Sequence, residues 1–364
     1  MKITFTGDIS LYNIDTENFK YNDLCLQILN SSDLIIGNLE CPITDHQIKD
    51  KESPYPMSAP DSALSIVDFF DVFSLANNHI RDYGSKGMQD TIKELNKRNI
   101  QHFGAGITYS RALKPLTIRK GKFKIAFISV SRFSNISLYN GGGTVGDSDI
   151  RLYKLIKELK EEKYFVIIYF HWGYEYVRIP SPRERRIAHK CINKGADLIV
   201  GSHPHIYQGI EKYKDKIIVY SLGNFIFHSS VFKDLAPVYD DSRLNESFIF
   251  SIDLMDDCSY TYTISGYRTT DNSVECYNAK ENQTLINDIY NISKLFKESY
   301  YSYLKAYYKQ TYEISIQNQK IRNILKNYEE LNMLEKISTY KNANLQDIKN
   351  RIGGLLIKIF KSYR

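Results

Sequence analysis

The sequence predicts an α/β fold with a helical C-terminal appendage, and three observations carry that expectation. Over roughly the first 230 residues, short apolar β-branched runs alternate with stretches of helical periodicity. Apolar run after apolar run stops beside a side chain able to hold a metal. Beyond about residue 280 the pattern changes: Asn282 to Arg364 contains no proline, only Gly353 and Gly354, and helical spacing such as Leu285, Ile289, Ile292, Leu295 and Phe296.

Taken in order, Ile3–Thr6 is a β-rich run ending at Gly7-Asp8. Asp33–Gly37 reads as a buried strand that ends at Asn38-Leu39-Glu40, and Asp71–Leu75 as another that ends at Asn77-Asn78-His79. Lys86–Asn99 has helical spacing at Met88, Ile92 and Leu95, with Ser85 as its expected N-cap. Leu116–Val130 reads as a hairpin turning at Lys120-Gly121. The helix Ile150–Lys163 leads into Tyr164–Phe170 and then His171-Trp172-Gly173. The helix Arg183–Lys194 leads into Asp197–Val200 and then Gly201-Ser202-His203-Pro204-His205. Ile217–Tyr220 ends at Ser221-Leu222-Gly223-Asn224, and Phe248–Leu254 with Tyr260–Gly266 forms a late hairpin.

A chain of 364 residues with 43% hydrophobic and 25% charged residues can bury a sizeable core, and it belongs to no disordered class. Five cysteines without a CxxC pair exclude a disulfide framework or zinc knot by pattern, and read as small buried side chains in a reducing compartment. The N-terminus lacks a basic stretch followed by an apolar one, and no window approaches about 18 consecutive apolar residues. The expectation is therefore a cytoplasmic protein, peripheral to a membrane at most. The net charge of +6 lies wholly in the tail: from Glu281 on there are 14 Lys and Arg against 8 Asp and Glu, while residues 1–280 balance.

The chemistry gathers at the strand ends. Two imidazoles one residue apart, His203 and His205, can face one small volume, and neutral imidazole suits Mn, Fe and Zn. His171 ends a strongly apolar run, and the nearby Glu175 is a carboxylate able to orient a ligating imidazole. Asp8 and Glu40 supply carboxylates for divalent cations, with Asn38 two residues before Glu40 and on the same side of an extended chain. Asn78 offers an amide oxygen beside His79, which can protonate a leaving group or hold an oxyanion. Each residue singly also fits an ordinary turn or a satisfied buried polar group. In α/β sheets, however, ligands gather at the carboxyl ends of strands, and six such ends point to one site.

These motifs in this order resemble the CapA-like, or poly-γ-glutamate capsule biosynthesis, family of the calcineurin-like metallophosphoesterase superfamily. The resemblance rests on Gly7-Asp8, Gly37-Asn38-Leu39-Glu40, Ala76-Asn77-Asn78-His79, His171 to Tyr176, Gly201 to His205 and Tyr220 to Phe225, and spans roughly residues 1–255. It implies a four-layer α-β-β-α sandwich with a dinuclear centre of two divalent metal ions on one edge. The expected metal ligands are Asp8, Glu40, Asn78, His171, His203 and His205, and the expected catalyst is His79. Asn38, Asn77, Glu175 and Asn224 stand behind the ligands or on the substrate. Two positions depart from the wider phosphoesterase pattern: Ser10 stands where a histidine ligand is usual, and Asn38 where a bridging aspartate is usual.

The division expected is a phosphoesterase domain over 1–280 and a basic helical region over 281–364. The leading functional expectation is a bacterial enzyme that hydrolyses a small-molecule or polymer phosphoester with two metals (Mn, Fe or Zn). Two others stand beside it: a capsule or polyglutamate biosynthesis accessory acting on an amide or glycan intermediate, and a non-catalytic metal-bearing scaffold. The tail, with its end Ile352–Lys361, reads either as helices packed on the core or as a docking element for an anionic surface or polymer. Nucleic acid is the weakest such partner, since no recognition motif accompanies the charge.

Overall fold

The computed structural model describes residues 1–50, 53, 55–133, 141–232 and 242–317. The basic segment after residue 317, including Ile352–Lys361, lies outside them. Two compact units are present, Met1–Ser299 and Tyr300–Arg364.

In chain order the first unit opens with β1 (Lys2–Ile9), β2 (Lys20–Tyr21), α1 (Asp23–Asn30), β3 (Leu34–Leu39), β4 (Val72–Ser74), α2 (Gly84–Lys97) and β5 (Gln101–Phe103). There follow β6 (Ala105–Gly106), α3 (Tyr109–Ala112), β7 (Leu116–Lys120), β8 (Phe123–Ser131), β9 (Gly143–Thr144) and α4 (Ile150–Glu161). The next stretch holds β10 (Phe165–His171), α5 (Pro182–Lys194), β11 (Leu198–Ser202), β12 (Ile210–Tyr213), β13 (Lys216–Val219) and β14 (Asn224–Ile226). It closes with β15 (Glu246–Leu254), β16 (Tyr260–Thr269), β17 (Ser273–Cys276) and α6 (Ala279–Lys294).

These strands make two large sheets. A nine-stranded sheet runs β2-β17-β16-β15-β1-β3-β4-β5, with β14 paired to β1, and a six-stranded sheet runs β12-β13-β11-β10-β8-β7. Their central strands are parallel: β1, β3 and β4 in one, β8, β10 and β11 in the other. Such strands are apolar on both faces, and the Phe165–His171 run is buried throughout. Alternate residues then serve different layers. Ile167 and Tyr169 join Ile3, Phe5, Phe127, Val200 and Phe250 in the core between the sheets. Ile9, Leu39 and Phe73 face α1, α2 and the turn Asp61–Val67 on the outer side of the larger sheet. On the outer side of the smaller sheet, α4 and α5 bury Leu152, Ile156, Ile187 and Cys191. The result is the expected four-layer α-β-β-α sandwich.

Local signals explain the sharper boundaries. Helix α5 starts at a capping box in which Ser181 and Glu184 satisfy each other's backbone N–H, with Pro182 in the first turn, and it stops at Gly195 with φ 114°. The expected cap at Ser85 is not observed. Helix α2 begins at Gly84, and the Ser85 hydroxyl donates instead to the Gly141 carbonyl at 2.6 Å.

The expected division at residue 280 also differs from the packing. Leu285, Ile289 and Ile292 of α6 belong to the core between the sheets, so the first unit continues to Ser299. In the second unit α7 (Tyr300–Gln317) buries Tyr303, Leu304, Tyr307, Thr311 and Ile314 at helical spacing. Among the described residues no helix is long and apolar enough to cross a membrane.

Candidate metal centre

The carboxyl ends of the parallel strands of both sheets meet at one edge, and they bring the expected residues together. Asp8 does not follow its strand, as the sequence suggests, but sits inside β1 where the register shifts on both sides. Such a bulge re-aims a side chain. It is built by close approach: the Asp8 N–H donates to the Gly223 carbonyl at 2.8 Å, and a Cβ on Gly7 would lie 1.9 Å from that same oxygen. Asn38 pairs in register with Asp8 and donates from Nδ2 to Asp8 Oδ1 at 2.8 Å. Glu40 follows just beyond β3, and both it and Asp8 are fully buried.

From the smaller sheet, His171 ends β10, and His203 and His205 follow β11 in the left-handed region at φ 96° and 59°. Non-glycine residues held there are strained, and the strain here turns two neighbouring imidazoles inward. His203 Nδ1 lies 3.1 Å from His171 Nε2, which in turn lies 2.6 Å from Asn78 Oδ1 and 3.4 Å from Glu40 Oε1. His205 Nε2 is 3.9 Å from Glu40 Oε1, and its Nδ1 is 3.8 Å from Asp8 Oδ2.

The donors form two triads, Glu40-His171-His203 and Asp8-Glu40-His205, each with its donor atoms within 4.8 Å of one another. Glu40 belongs to both. Asn38, at the position where the resemblance expects an aspartate, lies behind it, with Nδ2 3.5 Å from Oε2. At the position of the usual histidine, the Ser10 hydroxyl points to Met57 Sδ at 3.6 Å.

The residues fit divalent cations on two independent grounds. Glu40 Oε1, the oxygen nearest both imidazoles, is buried without a hydrogen-bond partner. A buried orphan acceptor is costly unless something positive meets it. The charges of the metal-free site also run the wrong way for these side chains. Burial pushes the Glu40 carboxyl well above its ordinary range, with the Asp8 charge adding to it, and burial raises Asp8 against the opposing pull of His205. Burial likewise holds His171 and His203 well below the usual imidazole range, and lowers His205. Neutral imidazoles and carboxylates short of positive charge make an oxygen and nitrogen donor set for Mn, Fe or Zn.

The supporting residues are partly those expected. Asn77 donates to Leu39 O and Asn38 Oδ1, while its own Oδ1 accepts from the N–H groups of His79 and Ile80, shaping the turn that carries Asn78 and His79. Asn224 Oδ1 lies 2.9 Å from His205 Nδ1 and so orients that ring. Glu175 is exposed, and its charge adds to the burial and the Asp8 charge that raise Glu40. Ser202, which sequence reasoning passed over, orients His171. Its hydroxyl donates to Phe170 O and lies 3.1 Å from His171 Nδ1, leaving Nε2 for the centre.

A second residue was also missed. The His79 ring nitrogen Nδ1 lies 2.8 Å from Asp82 Oδ2, and the buried Asp82 carboxylate further accepts from Met57 N–H and the Ser53 hydroxyl. The spacing of three between His79 and Asp82 across a turn is the signal that could have revealed it. His79 is half-buried at the rim, so its Asp82-held ring can turn Nε2 outward.

Comparison with known proteins adds the following. Residues 2–229 match the family described as "Bacterial capsule synthesis protein PGA_cap". The chain is 34% identical over 241 residues to the PGA biosynthesis protein CapA of Bacillus subtilis (strain 168), covering 62% of this chain and 63% of that protein. It is also 34% identical over 240 residues to the capsule biosynthesis protein CapA of Bacillus anthracis, covering 62% of this chain and 58% of that one. The match therefore spans less than two thirds of either relative's length. Among solved structures, a 5'-nucleotidase from Candida albicans SC5314 is similar at a TM-score of 0.42 and 10% identity, covering 88% of this chain and 58% of that one.

Proposed function

The chain belongs to the bacterial capsule synthesis protein family PGA_cap, and from that premise we propose that it is a metal-dependent hydrolase of a phosphoester in the making of a capsular or other surface polymer. The observation that supports this most is the pair of donor triads sharing one buried, otherwise unpartnered carboxylate oxygen. When bound there, two divalent cations would polarise a phosphoryl group and supply a nucleophile from water near neutral pH.

Asp8, Glu40, Asn78, His171, His203 and His205 would hold the ions, Glu40 being the residue that belongs to both donor triads. Asn38, Ser202 and Asn224 fix the orientation of those donors by hydrogen bonds on their far sides. His79 is the proton donor to the leaving oxygen, because Asp82 fixes its Nδ1 and leaves Nε2 to carry a proton outward. The Phe133 ring packs against the His203 ring at 4.4 Å between centroids.

Metal content of the purified chain, with turnover of a chromogenic phosphodiester and monoester under Mn or Zn supplementation, tests the proposal. Two metal equivalents with turnover abolished by chelation are expected. Cleavage of a γ-glutamyl amide and of no phosphoester would move the chemistry to the amide of the polymer. Bound metal with no turnover of either would leave a ligand-binding scaffold.

A further inference from the structure

Away from the metal centre, the helix α1 and the strand β17 carry a second chemically competent pair. Cys25 and Cys276 are 251 positions apart in sequence, yet both are buried in the same outer core. One side chain clamps them together. The Asn22 amide oxygen accepts from the Cys25 N–H at 2.9 Å and from the Cys276 N–H at 3.1 Å, and its amide nitrogen donates to the Cys276 carbonyl at 3.0 Å. Sharing one acceptor atom keeps the two backbone nitrogens within about 6 Å of each other, and the Cys276 side chain is the hydrogen-bonding neighbour of the Cys25 thiol.

We propose that Cys25 and Cys276 form an oxidisable dithiol whose disulfide locks α1 onto the β2-β17 edge of the larger sheet. The reagent class is a small-molecule disulfide. One cysteine thiolate attacks a sulfur of the oxidant and expels one thiol; the second cysteine then displaces the remaining oxidant sulfur as the second thiol. The protein loses two hydrogens and the oxidant gains them. The neighbouring Cys276 side chain and burial both hold the Cys25 thiol above its ordinary value, so exchange is slow in the closed fold. Access comes through fraying of the edge, where β2 is only two residues long.

The test uses the full chain incubated with oxidised glutathione at pH 8, then trapped and digested without reductant. A linked peptide joining Cys25 to Cys276 and two hydrogens lighter than the free pair is expected, and in Cys258→Ser, which lacks the exposed thiol that glutathione would itself cap, thiols titrated after denaturation should fall from four to two. Closing so long a loop should raise the melting temperature by roughly 5–9 °C, reversibly with dithiothreitol. Cys276→Ser should abolish the shift, whereas Cys258→Ser, at an exposed cysteine, should leave it intact. Linked peptides through any other pair, or four free thiols in Cys258→Ser after exposure that oxidises a control dithiol peptide, would overturn the proposal. Peptide mapping on the unmutated chain decides the matter even where a serine variant fails to fold.

Discussion

Glutamine in place of Glu40 should move the protein's stability in opposite directions with and without metal. The Glu40 carboxyl is fully buried, its Oε1 lacks a hydrogen-bond partner, and burial with the Asp8 charge holds it well above the ordinary value of 4.5. A carboxyl raised in the fold is penalised wherever the unfolded chain has already lost the proton, which is above about pH 4.5. At pH 7 that penalty is capped by the interval from 4.5 to 7, worth about 3.4 kcal/mol at about 1.36 kcal/mol per unit. Glutamine needs no proton, so metal-free Glu40→Gln should be more stable than the wild type by up to that amount. For a unit of 299 residues this is a rise in melting temperature of up to roughly 5 °C. The advantage should shrink toward zero at pH 4, where the unfolded glutamate is protonated too. With Mn or Zn at about 1,000 times its dissociation constant, the wild type gains about 4.1 kcal/mol from binding, more than that capped advantage, and the variant, lacking the shared oxygen, gains little. The order of the two melting curves should therefore reverse on adding metal. Differential scanning calorimetry in chelator and in metal, at pH 7 and pH 4, reads all four cases. A variant no more stable than the wild type in chelator, or one with an undiminished metal shift, would refute the assignment of Glu40 as the shared ligand.

Three further outcomes are expected. His79→Ala should lower turnover by about 10²–10⁴-fold while keeping its bound metal, and His203→Ala should lose metal, as read by elemental analysis beside kinetics; equal metal loss in both would make His79 a ligand. Metal binding should release protons, because burial raises the Glu40 and Asp8 carboxyls, which must ionise to bind, while burial already disfavours the charged form of the three imidazoles. Titration calorimetry in buffers of different protonation enthalpy measures this, affinity should rise with pH between 5 and 8, and zero release would contradict the site's electrostatics. Gly201→Ala should destabilise by roughly 1–3 kcal/mol or more, since its Cβ would lie 2.0 Å from Tyr220 O and 2.6 Å from Trp172 Nε1, on top of the hydrogen bond those two atoms share. A melting temperature within about 1 °C of the wild type would speak against that close approach.

The sequence showed the alternation of strands and helices well, because parallel strands buried on both faces read as unbroken apolar runs such as Phe165–Phe170. It also pointed to the side chains that the fold gathers, since Asp8, Glu40, Asn78, His171, His203 and His205 each follow or end such a run. What it could not show depends on pairing between distant segments. The bulge that turns Asp8 inward exists only because Gly223, far along the chain, comes against Gly7. Ser202 looked like a spacer before His203, and its role emerges only when β11 lies beside β10 and sets its hydroxyl under His171. Ser85 has the right chemistry for an N-cap, but the Gly141 carbonyl competes for its hydroxyl. The periodicity of Leu285, Ile289 and Ile292 marked a helix correctly, yet periodicity says nothing about which core the apolar face enters.

That last helix bears on how the protein can be dissected. Asp288 of α6 accepts from the Tyr207 hydroxyl at 2.6 Å and from Arg178, and Phe296, just beyond the helix, meets the Tyr220 ring at 5.2 Å and takes a hydrogen bond from Arg185 at its carbonyl. Tyr207 stands two residues after His205, so the segment that carries the paired histidines is tethered to a helix that a family-based boundary would cut away. A fragment ended at residue 280 exposes the edge between the two sheets and frees that segment, and it should be recovered insoluble or without metal. A fragment ended after Ser299 keeps both tethers and coincides with the first compact unit.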